Sequence, residues 1–522
     1  MFAAFDRFSK SLPPTGLSIR HHKCGVLWPH NDPPESLRLS AEQRGLPTPF
    51  DATTGMECLG ALLGANDDAS HAWFETQLRS HQSLFDMLLR DDLSVQITML
   101  LLRLCGIPRM GYITRVMPPR LTATHAATFD AMILDLAIRK LELPTPLADE
   151  AQEQIRLPIS LGGWGLRSVG AFSHVAYLCS VAQAAYDIVE LLPLAKRREI
   201  LLPSATQAPF AQQLTDSLNE VLTSEIACGD NGVVPVDTEQ FWIRFGTNGL
   251  AKGLQRTITA HLETRAHNAL LQHHDPQEVE GLKNIQRLKA CSAPKANKWK
   301  SCRPFSPEST LSDIDYRNAT RTCLGIPCQS DLPQRCRCEE EISNPDSDRL
   351  HFFSCHLLKR PAMTVRHDWL VQLLAEKFRR YGAIVHIEPR IFDFNRQRAD
   401  LDIIFPNRRF FIDVTVVHPT SPSYTSRVQL AAATAAEARK SSHYARTANM
   451  NGTLYAFAVE TFGGLGKQAL EVLKILQSAA ERSNVLLIPG ELATLVSVCL
   501  QKGNSHVLQA GAAAARAAEA AP

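Results

Sequence analysis

Hydrophobic and polar residues follow their most regular pattern in the last third of the chain, where they predict a compact α/β domain over 363–500. Apolar residues at helical spacing predict a helix from Thr364 to Tyr381, which Gly382 ends. Short apolar runs bounded by turn residues predict strands. The further predicted elements are strands over 383–387, 399–405 and 410–417, a helix over 427–446, a strand over 454–459, and helices over 466–482 and 491–501. The first six elements have the order α-β-β-β-α-β.

The residues before this domain show mainly helical periodicity, for example from Ser80 to Leu104. A Gly-rich segment, Leu157–Leu166, interrupts the pattern and lacks the Gly-Lys-Ser/Thr ending of a phosphate-binding loop. Residues 511–522 are rich in alanine, and we expect this tail to fray. The fold class that we predict is a multidomain protein with a mostly α-helical N-terminal half and an α/β C-terminal domain.

Charge and hydropathy limit the classes of function. The chain has 55 Lys and Arg against 53 Asp and Glu, so a uniformly basic surface that coats nucleic acid is excluded. No apolar run is long enough for a membrane span, and the first residues lack the apolar core of a secretory signal. We therefore expect an intracellular protein with no membrane partner.

A local cluster of cations lies between Lys283 and Arg303, with no acidic residue among them. Clustered cations suit phosphate contacts, and an interleaved aromatic ring can stack on a base. The alternative, a solvated linker, fits this segment alone equally well. The residues that we predict to contact nucleic acid are Lys289, Lys295, Lys298, Trp299, Lys300 and Arg303.

Cysteines concentrate in one short segment. Of the 13 in the chain, several crowd together beside His351 and His356. In an intracellular chain such a group favours metal binding over disulfides. The cysteines of this segment are Cys323, Cys328, Cys336, Cys338 and Cys355.

Acidic residues stand at unusual places in the α/β domain. Asp400 and Asp402 lie at the start of a predicted strand, and Asp413 lies inside the apolar run 410–417. A carboxylate in a buried strand needs a cation or hydrogen-bond donors, because an unpaired buried charge is costly. Neighbouring strands can bring Asp400 and Asp413 side by side, which predicts a site for Mg²⁺.

The following helix adds three polar residues on one face, namely Glu437, Lys440 and Tyr444. Lys440 can then contact a scissile phosphate or position the attacking water. The alternative is that Asp413 pairs with an arginine and Lys440 is an ordinary exposed residue. The ordered set on an α-β-β-β-α-β scaffold favours a nuclease.

Three sequence runs resemble the restriction-like endonuclease of non-LTR retrotransposons, which belongs to the PD-(D/E)XK class. These runs are Ile387–Arg390, Arg398–Asp400 and Ile412–Pro419. The Pro-Asp of the family corresponds to Ala399-Asp400, and the second acid corresponds to Asp413 after a gap of 12 residues.

The resemblance also implies the remaining catalytic residues. Thr415 replaces the motif lysine, and Lys440 on the next helix is the matching position, followed by Tyr444. Asp400 and Asp413 would hold Mg²⁺ or Mn²⁺, and Lys440 would contact the phosphate. Glu388 is an accessory candidate, as are Asp402, Glu437 and Tyr444.

The cysteine segment resembles the CCHC zinc knuckle that precedes this nuclease. Cys336, Cys338, His351 and Cys355 supply the ligand order for Zn²⁺, with 12 residues between Cys338 and His351. Because Cys-x-Cys is tighter than the usual spacing, the ligand set can instead include Cys328 or His356.

Upstream segments resemble the reverse transcriptase of the same elements. They are Gly16–Ile19 and Lys23–Cys24 for the palm, with Leu157–Leu166 and Asp313–Pro327 for the thumb and linker. No Tyr- or Phe-x-Asp-Asp polymerase box occurs, so we expect no DNA synthesis by this chain. The predicted segments are a palm remnant and thumb-like region over 1–125, a helical linker over 126–320, the zinc knuckle over 321–360, the endonuclease over 361–502 and the tail over 503–522.

The resemblance implies a metal-dependent endodeoxyribonuclease that nicks target DNA for target-primed reverse transcription. Its partners would be target DNA and element RNA in the nucleus, with no small-molecule substrate. The alternative is a nucleic-acid-binding relic whose nuclease fold is inactive.

Overall fold

The computed structural model describes residues 2–193, 209–223, 234–235, 237–248, 250–329, 332–342, 350–389, 398–444 and 453–520. The protein is mostly helical (61%) and has a small mixed sheet of four strands. It divides into two compact units. The first comprises Met1–Met87, Ile107–Met132 and Ser168–His261, and the second comprises Leu88–Gly106, Ile133–Arg167 and Leu262–Pro522. The two units interleave along the chain.

The α-helices that precede the sheet vary widely in length. They are α1 (Phe2–Ser11), α2 (Glu35–Glu42), α3 (Asp67–Leu89), α4 (Val95–Leu101), α5 (Pro108–Val116), α6 (Pro119–Leu141), α7 (Asp149–Arg156), α8 (Ser173–Leu191), α9 (Pro209–Val221), α10 (Thr238–Asn248), α11 (Leu254–Gln272), α12 (Val279–Cys291) and α13 (Asp313–Leu324).

In the first unit, α8 packs against α5, α9 and α10. A short antiparallel hairpin, β1 (Met56–Cys58) and β2 (Ala61–Leu63), lies before α3. By length and composition α6 is apolar enough to cross a membrane, with 44% of its apolar window buried in the structure. Core helices of soluble proteins share this composition, so α6 is weak evidence for a membrane span.

The sheet of the second unit follows α14 (Thr364–Arg380). Its strands are β3 (Ile384–Ile387), β4 (Leu401–Phe405), β5 (Arg408–Val417) and β6 (Thr453–Glu460), in that spatial order. β3–β4 and β4–β5 pair antiparallel, and β5–β6 pair parallel. The parallel pair requires a crossover, and α15 (Ala431–His443) lies between β5 and β6 in the chain.

The two faces of the sheet differ in chemistry, because successive side chains of a strand point to opposite faces. One face carries Leu401, Ile403, Phe410 and Ile412, which join the main apolar core. This core includes residues of α14, α16 (Lys467–Arg482) and α17 (Glu491–Glu519). The opposite face carries the acidic residues of β4 and β5, and the small side chains of α15 pack near its end.

The prediction of a frayed tail is wrong, because α17 continues as one helix to Glu519. Glycines let this helix approach its neighbours closely. A Cβ atom on Gly511 would meet the ring of Phe352 at 2.6 Å, and one on Gly503 would meet Cγ of Arg366 at 2.5 Å. Ala512 and Ala515 are buried in the same contact region. The small residues that make this sequence low in complexity therefore allow α17 to pack closely against its neighbours.

Candidate active site and metal centre

The register of the sheet brings Asp400 beside Asp413. Leu401 pairs with Ile412 across β4 and β5. One residue earlier, the backbone N–H of Asp400 donates to the carbonyl of Ile412 at 3.1 Å. The two aspartates that we predicted to share a metal are therefore neighbours, with Asp400 just before β4 and Asp413 on β5.

The carboxylate of Asp400 is held by two donors. Its Oδ2 accepts a hydrogen bond from the backbone N–H of Val414 at 2.6 Å and lies 3.1 Å from Nε2 of His367 on α14. Nδ1 of His367 lies 3.0 Å from Asp368 Oδ1. Burial opposes protonation of His367, but Asp400 and Asp368 outweigh it and raise its pKa to about 9. The imidazole is thus held as a cation between two acids.

Asp413 is buried and paired with a lysine. Its side chain is 4% exposed, and its Oδ1 lies 2.8 Å from Nζ of Lys440, which is 36% exposed. Burial and the nearby charge of Asp400 raise the pKa of Asp413, while Lys440 opposes this effect. Since Lys440 lies on α15, three separate elements meet at this point. The predicted neighbours Asp400, Asp413 and Lys440 are brought together.

Tyr444 and Glu388 border this group. The buried Tyr444 hydroxyl donates to the carbonyl of Arg398 at 2.6 Å, and burial together with Asp413 raises its pKa. Glu388 is exposed, and its backbone N–H donates to the carbonyl of Asp400 at 2.9 Å. Its carboxylate lies 3.7 Å from Arg398. Tyr444 therefore lines the interior of the site, and Glu388 lies at its solvent edge.

The other two accessory candidates, Asp402 and Glu437, form hydrogen bonds that stabilise the fold. Asp402 receives two hydrogen bonds of 3.0 Å from Arg409 and lies 3.2 Å from His386. Glu437 accepts from the backbone N–H of Gln468 at 2.8 Å, in the first turn of α16. These carboxylates already have dedicated partners, so we do not assign them a catalytic role.

His367 is the site residue that our reading of the sequence missed. It shares the inward face of α14 with Leu370, Val371 and Leu374, which are buried at helical spacing from it. In the sequence, the feature that could have indicated a site residue was a histidine among the apolar positions of a predicted helix. Its importance depends on the contact with Asp400, which is distant in sequence.

The predicted cysteine and histidine ligands also come together. The ligand atoms of Cys336, Cys338, His351 and Cys355 all lie within 4.8 Å of one another. Sγ of Cys336 is 3.8 Å from Sγ of Cys355, and Sγ of Cys338 is 3.1 Å from Nε2 of His351. Zinc–sulfur bonds of about 2.3 Å in a tetrahedron place two sulfurs about 3.8 Å apart. The set therefore fits Zn²⁺.

Local turns position these ligands. The backbone N–H of Cys336 donates to the carbonyl of Glu340 at 2.8 Å, which closes a tight turn around Cys338. His351 begins a short 3₁₀ helix, and the N–H of Cys355 donates to its carbonyl at 2.9 Å. Among the residues that the structure describes, neither Cys328 nor His356 belongs to this metal-ligand group.

The ligand group is packed against the α/β core. Phe352 lies against Gly511 of α17, as described above, and the ring of Phe353 is 5.2 Å from that of His418 at the end of β5. Arg366, next to His367, lies 5.9 Å from the Phe353 ring. The segment that carries the zinc ligands is therefore part of the second unit.

The nucleic-acid prediction needs correction at Trp299 and Lys300. Trp299 is fully buried and packs edge-on against Trp164 and Tyr316, with ring centroids 6.4 and 4.9 Å away. Lys300 is 1% exposed. Its Nζ donates to the carbonyls of Gly162 and Gly163 at 2.7 and 3.2 Å and lies 3.6 Å from the Trp164 ring centroid. Neither side chain is available to a nucleic acid in this structure.

The rest of the basic segment remains accessible. Lys295 and Arg303 are exposed, whereas Lys289 and Lys298 are half-buried. These four residues can still contact phosphate. The Gly-rich segment Leu157–Leu166 supplies the carbonyl groups and Trp164 that bind Lys300, which is its evident structural role.

Comparison with known proteins adds no further information. No protein-family model matches the chain, and no curated protein matches it.

Proposed function

We propose that this protein is a metal-dependent DNA endonuclease whose active site is formed by Asp400, Asp413 and Lys440. The observation that carries the proposal is the convergence of these residues from the position just before β4, from β5 and from α15. Asp413 is buried beside Asp400 and lies 2.8 Å from Lys440. Two neighbouring carboxylates with a lysine, partly open to solvent, suit cleavage of a phosphodiester bond.

The chemistry of the donors supports a divalent cation at this point. Like charges on Asp400 and Asp413 oppose each other, and burial raises the free energy of the Asp413 anion. Hard oxygen ligands of this kind hold Mg²⁺ or Mn²⁺ together with waters and phosphate oxygens. When bound, the ion would supply a polarised phosphate oxygen and a more acidic water.

The protein groups have distinct proposed roles. Lys440 places a positive charge beside Asp413, where it can stabilise charge that develops on the scissile phosphate. His367 and the Val414 N–H fix the orientation of Asp400. Tyr444 packs beside Asp413, and Glu388 is placed at the edge where a DNA strand would enter.

The wider setting that we propose is the C-terminal part of a non-LTR retrotransposon protein. The order of α14, β3, β4, β5, α15 and β6 supports a restriction-endonuclease-like core. The Cys3His group before it supports the knuckle. Together with the accessible cations of the basic segment, the knuckle would contact target DNA or element RNA in the nucleus. The nick would prime reverse transcription in the complete element.

A plasmid-nicking assay tests the proposal. Zinc-loaded full-length protein is incubated with supercoiled DNA in Mg²⁺, in Mn²⁺ and with both ions withheld. We expect nicking only with the added ion, and loss of nicking in Asp400→Ala and Asp413→Ala. Asp91→Ala is the matched control, because Asp91 is exposed and distant in sequence from the site.

Two outcomes would contradict the proposal. Cleavage that persists in either aspartate variant would show that the activity lies elsewhere. A folded, DNA-binding wild-type protein that nicks no substrate with either ion would instead favour an inactive nuclease relic.

A further inference from the structure

Two cysteines outside the zinc group lie side by side in the core of the second unit. Cys291 ends α12, Cys323 lies near the end of α13, and both are at most 1% exposed. Sγ of Cys291 lies 3.6 Å from the carbonyl oxygen of Cys323, and the two thiols are close enough to share a hydrogen bond. Gly162 of the Gly-rich segment covers them, since a Cβ atom there would meet Cβ of Cys291 at 3.0 Å. The two residues therefore form a buried thiol pair where α12 meets α13.

Two cations are buried beside the thiol pair. Arg287 is 5% exposed and Lys300 is 1% exposed. Arg287 donates to Gln154 Oε1 at 2.8 Å and to the carbonyl of Cys323. Lys300 donates to two carbonyls of the Gly-rich segment, as described above. These acceptors are uncharged, and in the described part of the chain no carboxylate is close enough to either cation to form an ion pair.

The buried cations need an anion, because an unpaired buried charge is costly. The nearest groups that can supply one are the two thiols. They stabilise the charge of Arg287 more than any carboxylate does, and they also stabilise the charge of Lys300. A hydrogen bond from Cys291 and the two buried cations lower the pKa of Cys323 to about 7, although burial opposes this effect. Burial raises the pKa of Cys291.

We propose that Cys291 and Cys323 form a redox-active pair, in which Arg287 and Lys300 hold Cys323 as a thiolate that reacts first with a peroxide. A thiolate is the nucleophilic form of cysteine, and neighbouring cations favour it. The pair is separate from the Cys3His group and does not depend on the proposed nuclease activity.

The reaction has two steps. The Cys323 sulfur attacks one oxygen of hydrogen peroxide, which breaks the O–O bond, releases hydroxide and leaves a sulfenic acid. The Cys291 sulfur then attacks the Cys323 sulfur, and an S–S bond forms. The sulfenic oxygen leaves as water with the proton of the Cys291 thiol. The two sulfurs together lose two electrons, which reduce the peroxide.

A neighbouring cleft gives peroxide an approach to the pair. The cleft has a volume of about 560 Å³, and its wall includes Arg287 together with Leu324 and Gly325, which directly follow Cys323 in the chain. Arg287 therefore contacts both the cleft and the carbonyl of Cys323. Because hydrogen peroxide is little larger than water, a small local opening of this wall is sufficient.

Peptide mapping of the zinc-loaded, full-length protein tests the pair. Protein is treated with hydrogen peroxide for increasing times, the remaining thiols are blocked in denaturant, and the proteolytic peptides are identified by mass spectrometry. We expect a disulfide between Cys291 and Cys323, formed about 10-fold or more faster than Cys302 is oxidised. Cys302 is the internal control, because it is also buried but burial raises its pKa to about 11.

Two variants separate the steps of the reaction. Cys291→Ala should leave Cys323 as a sulfenic acid that dimedone traps, whereas Cys302→Ala should form the disulfide at the wild-type rate. Oxidation of Cys323 as slow as that of Cys302 would overturn the thiolate. Absence of the disulfide from folded wild type, after the exposed Cys105 is fully oxidised, would overturn the pair.

Discussion

The two predicted metal-binding groups of the second unit differ in how the chain assembles them. The Cys3His group comes from one short segment and brings four ligand atoms within 4.8 Å of one another. The Asp400–Asp413 group comes from the position just before β4 and from β5, and Lys440 of α15 lies 2.8 Å from Asp413. A closed set of four sulfur and nitrogen ligands suits a structural ion. Two carboxylates beside a partly exposed lysine suit an ion that must also bind substrate.

Zinc removal should produce the largest loss of stability. This loss should distinguish the Cys3His group from the Asp400–Asp413 group. Structural zinc contributes on the order of 10 kcal/mol to small zinc-binding modules, so loss of the ion should disorder the ligand segment. Because Phe352 and Phe353 pack on the core, we expect the melting temperature of the second unit to fall by more than about 5 °C. Calorimetry of Cys338→Ser measures the shift.

The control for this experiment is Cys105→Ser, because Cys105 is exposed and lies outside the ligand group. Withdrawal of Mg²⁺ should leave the melting temperature unchanged. A Cys338→Ser protein with the stability and zinc content of wild type would contradict a structural zinc site.

Replacement of Lys440 should affect reaction rate more than stability. Lys440→Ala removes the cation beside the buried Asp413 carboxylate, and we expect nicking to slow by about 100-fold or more. Lys474→Ala, which changes an exposed lysine of α16, is the control and should nick at the wild-type rate. The nicking rates of the two variants are measured under single-turnover conditions in saturating Mg²⁺. If Lys440→Ala nicks DNA at nearly the wild-type rate, Lys440 is not part of the proposed active site.

Replacement of Lys300 should reduce stability, whereas replacement of Lys440 should mainly reduce the rate of nicking. Lys300→Ala leaves a cavity and two buried carbonyl groups without their donor, and we expect the free energy of unfolding to fall by about 4 kcal/mol. The exposed Lys295→Ala should change it by less than about 0.5 kcal/mol. Urea denaturation compares the two. If Lys300→Ala is as stable as Lys295→Ala but binds DNA poorly, the buried structural role is wrong.

A smaller effect should distinguish Asp413 from Glu460, another buried acid of this region. Within the part of the chain that the structure describes, Glu460 has no lysine partner, and burial raises its pKa to about 7. The folded state then binds more protons than the unfolded state between about pH 4.5 and 7, so stability falls as pH rises through this window. Ionisation costs up to about 3 kcal/mol.

Glu460→Gln should remove that pH dependence. We expect the variant to match wild type near pH 4 and to be more stable than wild type above pH 7. Urea denaturation at several pH values checks this result. Equal pH profiles for the two proteins would show that Glu460 ionises without cost in the folded state.

The local pattern of hydrophobic residues predicted much of the secondary structure of the α/β region. The helix predicted over 364–381 is observed as Thr364–Arg380, and the strand predicted over 410–417 is observed as Arg408–Val417. Helical spacing of apolar residues, and apolar runs bounded by turn residues, carry this information within a few positions. The neighbouring placement of Asp400 and Asp413 followed from two adjacent strands.

Properties set by distant contacts could not be predicted in the same way. Lys300 and Trp299 look like exposed nucleic-acid contacts in sequence, but carbonyls of the Gly-rich segment and Trp164 bury them. The Ala-rich tail over 511–522 looks frayed in sequence, but its small residues allow close packing in α17, which continues to Glu519. His367 acquires its role only through Asp400. In each case the partner that decides the outcome lies far away in the chain.

The most direct test of the central claim measures binding and cleavage on the same labelled DNA duplex. Zinc-loaded wild type and Asp413→Ala are compared in Mg²⁺, with binding measured by fluorescence anisotropy and cleavage by gel analysis. The account predicts similar affinities and cleavage by wild type alone. Equal cleavage by both proteins would contradict the assignment of Asp413, and with it the proposed active site.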